Sequence, residues 1–211
     1  RLWFLHRLEG PSATYNIPLA RHLQGPLQAA ALEAALNDVV GRHESLRTVF
    51  PEQAGQPYQH IVSAAQAKVP FLQIAVAPDQ VQKCLTEVAA TPIDICQELP
   101  LRVWLFRIDA EHHVLVILLH HIAADGWSMG VMWQELSAAY DACVTGQEQR
   151  LAELPIQYAD HAVWQRDWLQ GEVLEKQVAY WKGKLADLPV LELPTDRPRP
   201  PVASHRGAVQ A

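Results

Sequence analysis

The segment Val114–Leu119, VLVILL, constrains this chain more than any other, because an unbroken apolar run leaves no polar face to turn toward water. A strand written this way is buried on both sides, so the fold has to cover it from above and from below. At 211 residues and 49% hydrophobic content, the chain has enough material for one large domain with a sizeable core, or for one and a half small ones.

The run ends in His120-His121 and continues, after Ile122-Ala123-Ala124, into Asp125-Gly126. Successive side chains on a strand point to opposite faces, so the two imidazoles cannot enter one cavity together. One is expected to react and the other to pack or support. If the chain turns over Ile122–Gly126, Asp125 folds back beneath the histidines, with Gly126 supplying the conformational freedom. Ser128 or Asp125 then caps a helix over Trp127–Val144, in which Met132, Leu136, Ala139 and Tyr140 recur at helical spacing. The competing reading makes the histidines hydrogen-bonded boundary residues at the end of a strand.

A net charge of −6 and a pI near 5.9, with basic residues scattered, argue against a nucleic-acid surface. Most of the seven Trp lie beside helical periodic residues and read as core. Cys84, Cys96 and Cys143 show neither a disulfide framework nor metal-ligand spacing, which suits a reducing cytoplasm. No apolar run is long enough to span a membrane, and Arg1-Leu2-Trp3-Phe4 passes at once into His6-Arg7, unlike a signal peptide.

In chain order, a short helix over residues 1–9 precedes a strand over Tyr15–Leu23. Leu27–Arg42 is an amphipathic helix carrying Leu32, Leu36, Val39 and Val40. Arg42 and Arg47 follow in RHESLRTVF, which reads either as a solvated helix terminus whose cations suit the dipole or as the source of a buried partner for Asp125, since an unpaired buried carboxylate is costly. Strands are expected over Pro57–Val62 and Val69–Ala75, then a helix over Gln80–Ala90. Pro100–Ile108 and His112–His120 form a hairpin, with His112 and His113 at the surface. Helices follow over Pro155–Leu169 and Val173–Leu185. Five prolines in Pro189–Pro201 mark a linker beginning at residue 188.

Four segments in this order resemble the condensation domains of nonribosomal peptide synthetases, within the chloramphenicol-acetyltransferase-like acyltransferase group. They are Arg1-Leu2-Trp3-Phe4-Leu5, RHESLRTVF at Arg42–Phe50, LHHIAADGWS at Leu119–Ser128, which is similar to an HHxxxDG motif, and YADHAVW at Tyr158–Trp164. The resemblance implies an α/β lobe, a mixed sheet flanked by helices, as the first of two lobes around a tunnel. Residues 1–187 would be that lobe and 188–211 the linker toward a C-terminal lobe downstream, without which the isolated lobe is expected to be inactive.

The implied reaction is amide formation: the amine of an aminoacyl thioester attacks an acyl or peptidyl thioester. Carrier proteins upstream and downstream deliver both on phosphopantetheine arms, with no cofactor or metal bound by the chain itself. An adenylation domain in the parent chain is a further expected partner; nucleic acid and membrane are not. His121 matches the tunnel-facing histidine, as general base or positioning group. His120 supports it, and Asp125 holds the loop through Arg42 or Arg47. Gly126, with Ser128 and Trp127, would support the loop or the oxyanion. An epimerisation domain, a free-standing acyltransferase of the same group and a carrier-protein docking module are the alternatives. Against the last stands the intact histidine motif.

Overall fold

The computed structural model describes residues 1–147, 151–191, 194–198 and 201. Helix α1 (Leu2–Glu9) leads to strand β1 (Asn16–Gln24) and helix α2 (Ala29–Arg42). A turn of 3-10 helix at Glu44–Arg47 opens a run of short strands: β2 (Thr48–Val49), β3 (Glu52–Gln53), β4 (Gln56–Pro57) and β5 (His60–Ile61). Strand β6 (Phe71–Ala75), helix α3 (Val81–Ala89), the hairpin of β7 (Leu101–Arg107) and β8 (His112–His120), and helix α4 (Gly126–Thr145) follow. Helices α5 (Tyr158–Trp168) and α6 (Gly171–Lys184) come last.

The apolar run lies in β8, which is flanked on both edges in the sheet order β1-β8-β7-β6. Pairing is antiparallel from β1 to β8 and from β8 to β7, and parallel from β7 to β6, so the sheet is mixed. The two-residue period of the strand then separates two cores. Leu115, Ile117 and Leu119 pack with Leu101, Val103 and Leu105 against α2, through Leu32, Leu36 and Val39, and against α4, through Met132, Leu136 and Ala139. Val114, Val116 and Leu118 join Trp104 and Phe106 against Val81 and Val88 of α3, the loop residues Ile93 and Ile95, and Trp3 of α1. Helices therefore cover both faces, as a strand without a polar side requires. The expected fold class, a mixed sheet flanked by helices, is the one found.

The strand expected over Pro57–Val62 is reduced to β4 and β5, whose residues are all exposed. Pro57 has no N–H to donate to a ladder, and β5 meets only β2. Two compact units divide the chain, Arg1–Ala159 and Asp160–Ala211; the sheet and α1–α4 belong to the first. In the second, Trp164 and Trp168 stack in parallel with centroids 5.6 Å apart, and both are exposed, as is Trp181. With Trp127 also exposed, the expectation that most tryptophans are core fails: Trp104 is buried and Trp3 and Trp133 partly so. A helix one stripe of which is apolar leaves that stripe open when no partner covers it. Residues 188–191 carry neither helix nor strand, and much of the expected linker lies outside the described residues.

Candidate functional site

The end of β8 separates the histidines as alternation demands. His120 continues the face of Val116 and Leu118 and is 1% exposed. Its Nδ1 accepts the Ile122 N–H at 3.0 Å, and its ring lies near those of His6 and Tyr15, with centroids 6.4 and 6.1 Å away. Burial, followed by the neighbouring charges of His6 and His121, pushes its pKa down from 6.5 to about 4. At neutral pH the buried His120 ring is uncharged and hydrogen-bonded to the loop that follows. His121 is exposed, and its backbone N–H donates to Tyr15 O at 2.8 Å, which fastens the start of the loop to the residue preceding β1.

The loop from Ile122 returns to α4 through a capping box. Asp125 Oδ1 accepts the Ser128 N–H at 2.9 Å and the Ser128 hydroxyl at 2.6 Å, while the Asp125 N–H donates to Ser128 Oγ at 3.2 Å. The Ser128 hydroxyl and backbone N–H hold the Asp125 carboxyl below the usual carboxylate range. Asp125 is exposed, so the expected buried ion pair with Arg42 or Arg47 is not formed. A carboxylate at a helix N-terminus has backbone donors at hand and needs no cation.

The arginines bond elsewhere. Arg42 Nε donates to Glu135 Oε1 at 3.1 Å, and His43 Nε2 reaches the other oxygen of the same carboxylate, tying the end of α2 to α4. Arg47 donates to Gly41 O at 3.2 Å and Val62 O at 2.7 Å and approaches Glu44 at 3.5 Å. Glu135 was absent from the expected site. Its signal lay in its position, since it interrupts the buried stripe Met132, Leu136, Ala139, where a charged residue demands a partner.

Gly126 is the first residue of α4 and lies outside the left-handed region, and a Cβ there would meet nothing within 4 Å. The conformational freedom expected of it is therefore not used. Ser128 is occupied as both donor and acceptor in the cap, which gives it loop support rather than a free hydroxyl for an oxyanion. Trp127 is 86% exposed. Beside this loop, on the α2–α4 side, lies a cavity of about 190 Å³ lined by Leu119, Ala123, Ser128, Met129, Met132 and His43 among others. A larger hollow of about 810 Å³ in the second unit, between Trp168 and Leu185, is lined by no histidine or carboxylate, and His121 lines neither cavity.

At the other end of β8, His112 is exposed and bonds Asp109. His113 is buried, against expectation, and its Nδ1 lacks a hydrogen-bond partner among the described residues. Pairing with Leu23 of β1 and the alternation of the strand carry it inward.

With this geometry in place, the sequence model of the condensation domain matches residues 1–210. The chain belongs to the condensation-domain family. This condensation-domain chain is 49% identical, over 99% of its length, to a probable non-canonical nonribosomal peptide synthetase, CymA, of Salinispora arenicola. It is 46% identical, over 99% of its length, to an isonitrile lipopeptide synthase of Mycobacterium tuberculosis. It spans only 3% and 9% of those two proteins. Among solved structures, the X-domain from teicoplanin biosynthesis superposes with a TM-score of 0.81 at 37% identity, covering 94% of this chain and 44% of that one. The first condensation domain of the calcium-dependent antibiotic synthetase, at 24% identity and a TM-score of 0.78, shares the fold over 90% of this chain and 46% of its own length. No helix among the described residues of the condensation-domain chain is long and apolar enough to cross a membrane.

Proposed function

We propose that the chain forms one wall of an acyl-transfer site that makes amide bonds in nonribosomal peptide synthesis. The amine nitrogen of a carrier-bound aminoacyl thioester attacks the carbonyl carbon of a carrier-bound acyl or peptidyl thioester. The C–N bond forms, the C–S bond breaks, and the amine proton ends on the departing thiol. The observation that carries this reading is the division of the histidine pair: His121 is exposed and pinned by its backbone, while His120 is buried and neutral behind it. An α-amino group titrates near pH 8, so part of it is already nucleophilic at neutral pH and His121 need only orient it or accept its proton as the bond forms. Asp125 fixes the loop by capping α4. The Gly126 N–H at the start of that helix would stabilise the developing oxyanion.

Phosphopantetheine arms of upstream and downstream carrier proteins would bring both thioesters, and a second lobe would close the site. Coverage of 44% and 46% of the solved neighbours supports the need for that lobe. Joined to the remainder of its parent domain, the chain should yield thioester-dependent amide product that is lost in His121→Ala. Undiminished turnover in that variant would remove His121 from the chemistry.

A second reading, a docking module, draws on the likeness to the X-domain, which has also been solved in complex with OxyB. Loaded carrier protein that binds the completed domain without any turnover would favour it.

A further inference from the structure

Away from the histidine loop, three chemically different donors converge between α1 and the loop that follows α3. His6 is 7% exposed, and its Nε2 lies 3.2 Å from Asp94 Oδ1. Cys96, a free thiol, donates its backbone N–H to the same oxygen at 3.0 Å. One donor atom from each of His6, Asp94 and Cys96 falls within 4.8 Å of the other two. We propose that these residues bind a borderline-soft divalent cation of the zinc class, with the fourth position of a tetrahedron left open.

The framework around them is already built. Trp3 Nε1 donates to Phe50 O at 3.0 Å, and Phe50 N–H donates to Ile95 O at 2.8 Å, which holds α1 and the loop in place. The Gln97 amide donates to Asp94 Oδ2 at 2.6 Å, and Asp94 N–H donates to Glu98 Oε1 at 2.7 Å. Asp94 is thereby fixed on two sides, with Oδ1 turned toward His6.

The spacing fits the ion. Zinc bonds to nitrogen and oxygen of about 2.0–2.1 Å place such ligands about 3.4 Å apart along a tetrahedral edge, and a sulfur ligand at about 2.3 Å lengthens that edge to about 3.6 Å. The His6–Asp94 separation of 3.2 Å is close to this value before any ion arrives. Closing the thiol edge from at most 4.8 Å requires a shift of about 1 Å, within reach of a rotation about one side-chain bond. The donor set is also selective. An imidazole and a thiolate favour zinc-class ions over magnesium or calcium, and one thiolate with one carboxylate neutralise a dication.

On binding, the thiol proton leaves to solvent and the imidazole proton sits on Nδ1, so that Nε2 and the thiolate can both reach the ion. His6 stands edge-on to His120 at an interplanar angle of 84°, so the ion would sit one ring away from the support of His121. The site does not depend on the amide-forming reading.

The test uses the untagged chain, stripped with chelator and titrated with cobalt(II), whose thiolate bond gives a charge-transfer absorption and whose tetrahedral geometry gives intense visible bands. Both should saturate at one ion per chain and disappear when zinc displaces the cobalt. Cys96→Ser should abolish the charge-transfer absorption, and His6→Asn should weaken binding about tenfold or more. The double variant Cys84→Ser, Cys143→Ser should keep the whole signal. Absence of the absorption in the unaltered chain, its survival in Cys96→Ser, or its loss in the double variant would each overturn the proposal. Because Cys96→Ser changes one atom of a half-buried side chain, the outcome does not hinge on whether His6→Asn folds.

Discussion

Replacing Glu135 by Gln tests what anchors the second motif to α4. The carboxylate is 10% exposed and meets Arg42 Nε at 3.1 Å and His43 through its other oxygen. Breaking a fully buried pair by removing one partner costs about 3–5 kcal/mol, because the remaining charge is left without compensation. Here Arg42 and His43 keep 19% and 22% of their side-chain surface, so water softens the loss to about 2–3 kcal/mol. In a chain of this size that lowers the melting temperature by about 6–10 °C. Asp125→Asn is the matched control. Asparagine caps a helix about as well as aspartate, so the change should shift stability by less than about 0.5 kcal/mol. Thermal and urea unfolding of both variants beside the unaltered chain measure the contrast. Equal destabilisation by the two substitutions, or a neutral Glu135→Gln, would refute the assignment of Arg42 to Glu135 and restore Asp125 as its partner.

His120 gives a pH dependence with a definite sign. Its imidazole protonates near pH 6.5 in the unfolded chain but only at about 4 when folded, so protonation between those values favours unfolding. Its contribution is complete above pH 6.5 and shrinks by about 3 kcal/mol on descending to pH 4. His120→Asn keeps an acceptor for the Ile122 N–H without the titration, and its stability curve from denaturant melts should be correspondingly flatter; parallel curves would contradict the burial argument. Ile117→Ala, at a position with no exposed surface in the central strand, should cost about 3–4 kcal/mol in urea unfolding. A loss below about 1 kcal/mol would mean that the core collapses to fill the space.

The architecture was legible where the chain repeats a period over many residues. The unbroken VLVILL run, the stripe through Leu32, Leu36 and Val39, and the hairpin through Asp109-Ala110-Glu111 all lie where hydrophobic spacing puts them. The opposite fates of His120 and His121 likewise follow from strand alternation. Partner choice was not legible. A carboxylate beside an apolar strand suggests a buried cation, but helix geometry offered Asp125 a local backbone donor, and the arginine went to a glutamate on the next helix. The tryptophans misled for a related reason: periodicity shows that a stripe exists, not that anything is packed on it. His6, Asp94 and Cys96 are separated by 88 and 2 residues, a distribution no linear motif reveals.

The alternation along β8 also governs how this segment can change in length. Adding or deleting a single residue inside the strand, with its ends held by β1 and β7, would exchange every inward and outward position. His121 would be driven among the valines beneath the sheet and His120 raised into solvent, with each ring still present and the chain hardly altered in composition. Reading frame in the genetic sense has a counterpart here in parity. An insertion that the exposed turn at Gly55 could absorb would, at Ile117, reverse which histidine faces the outside.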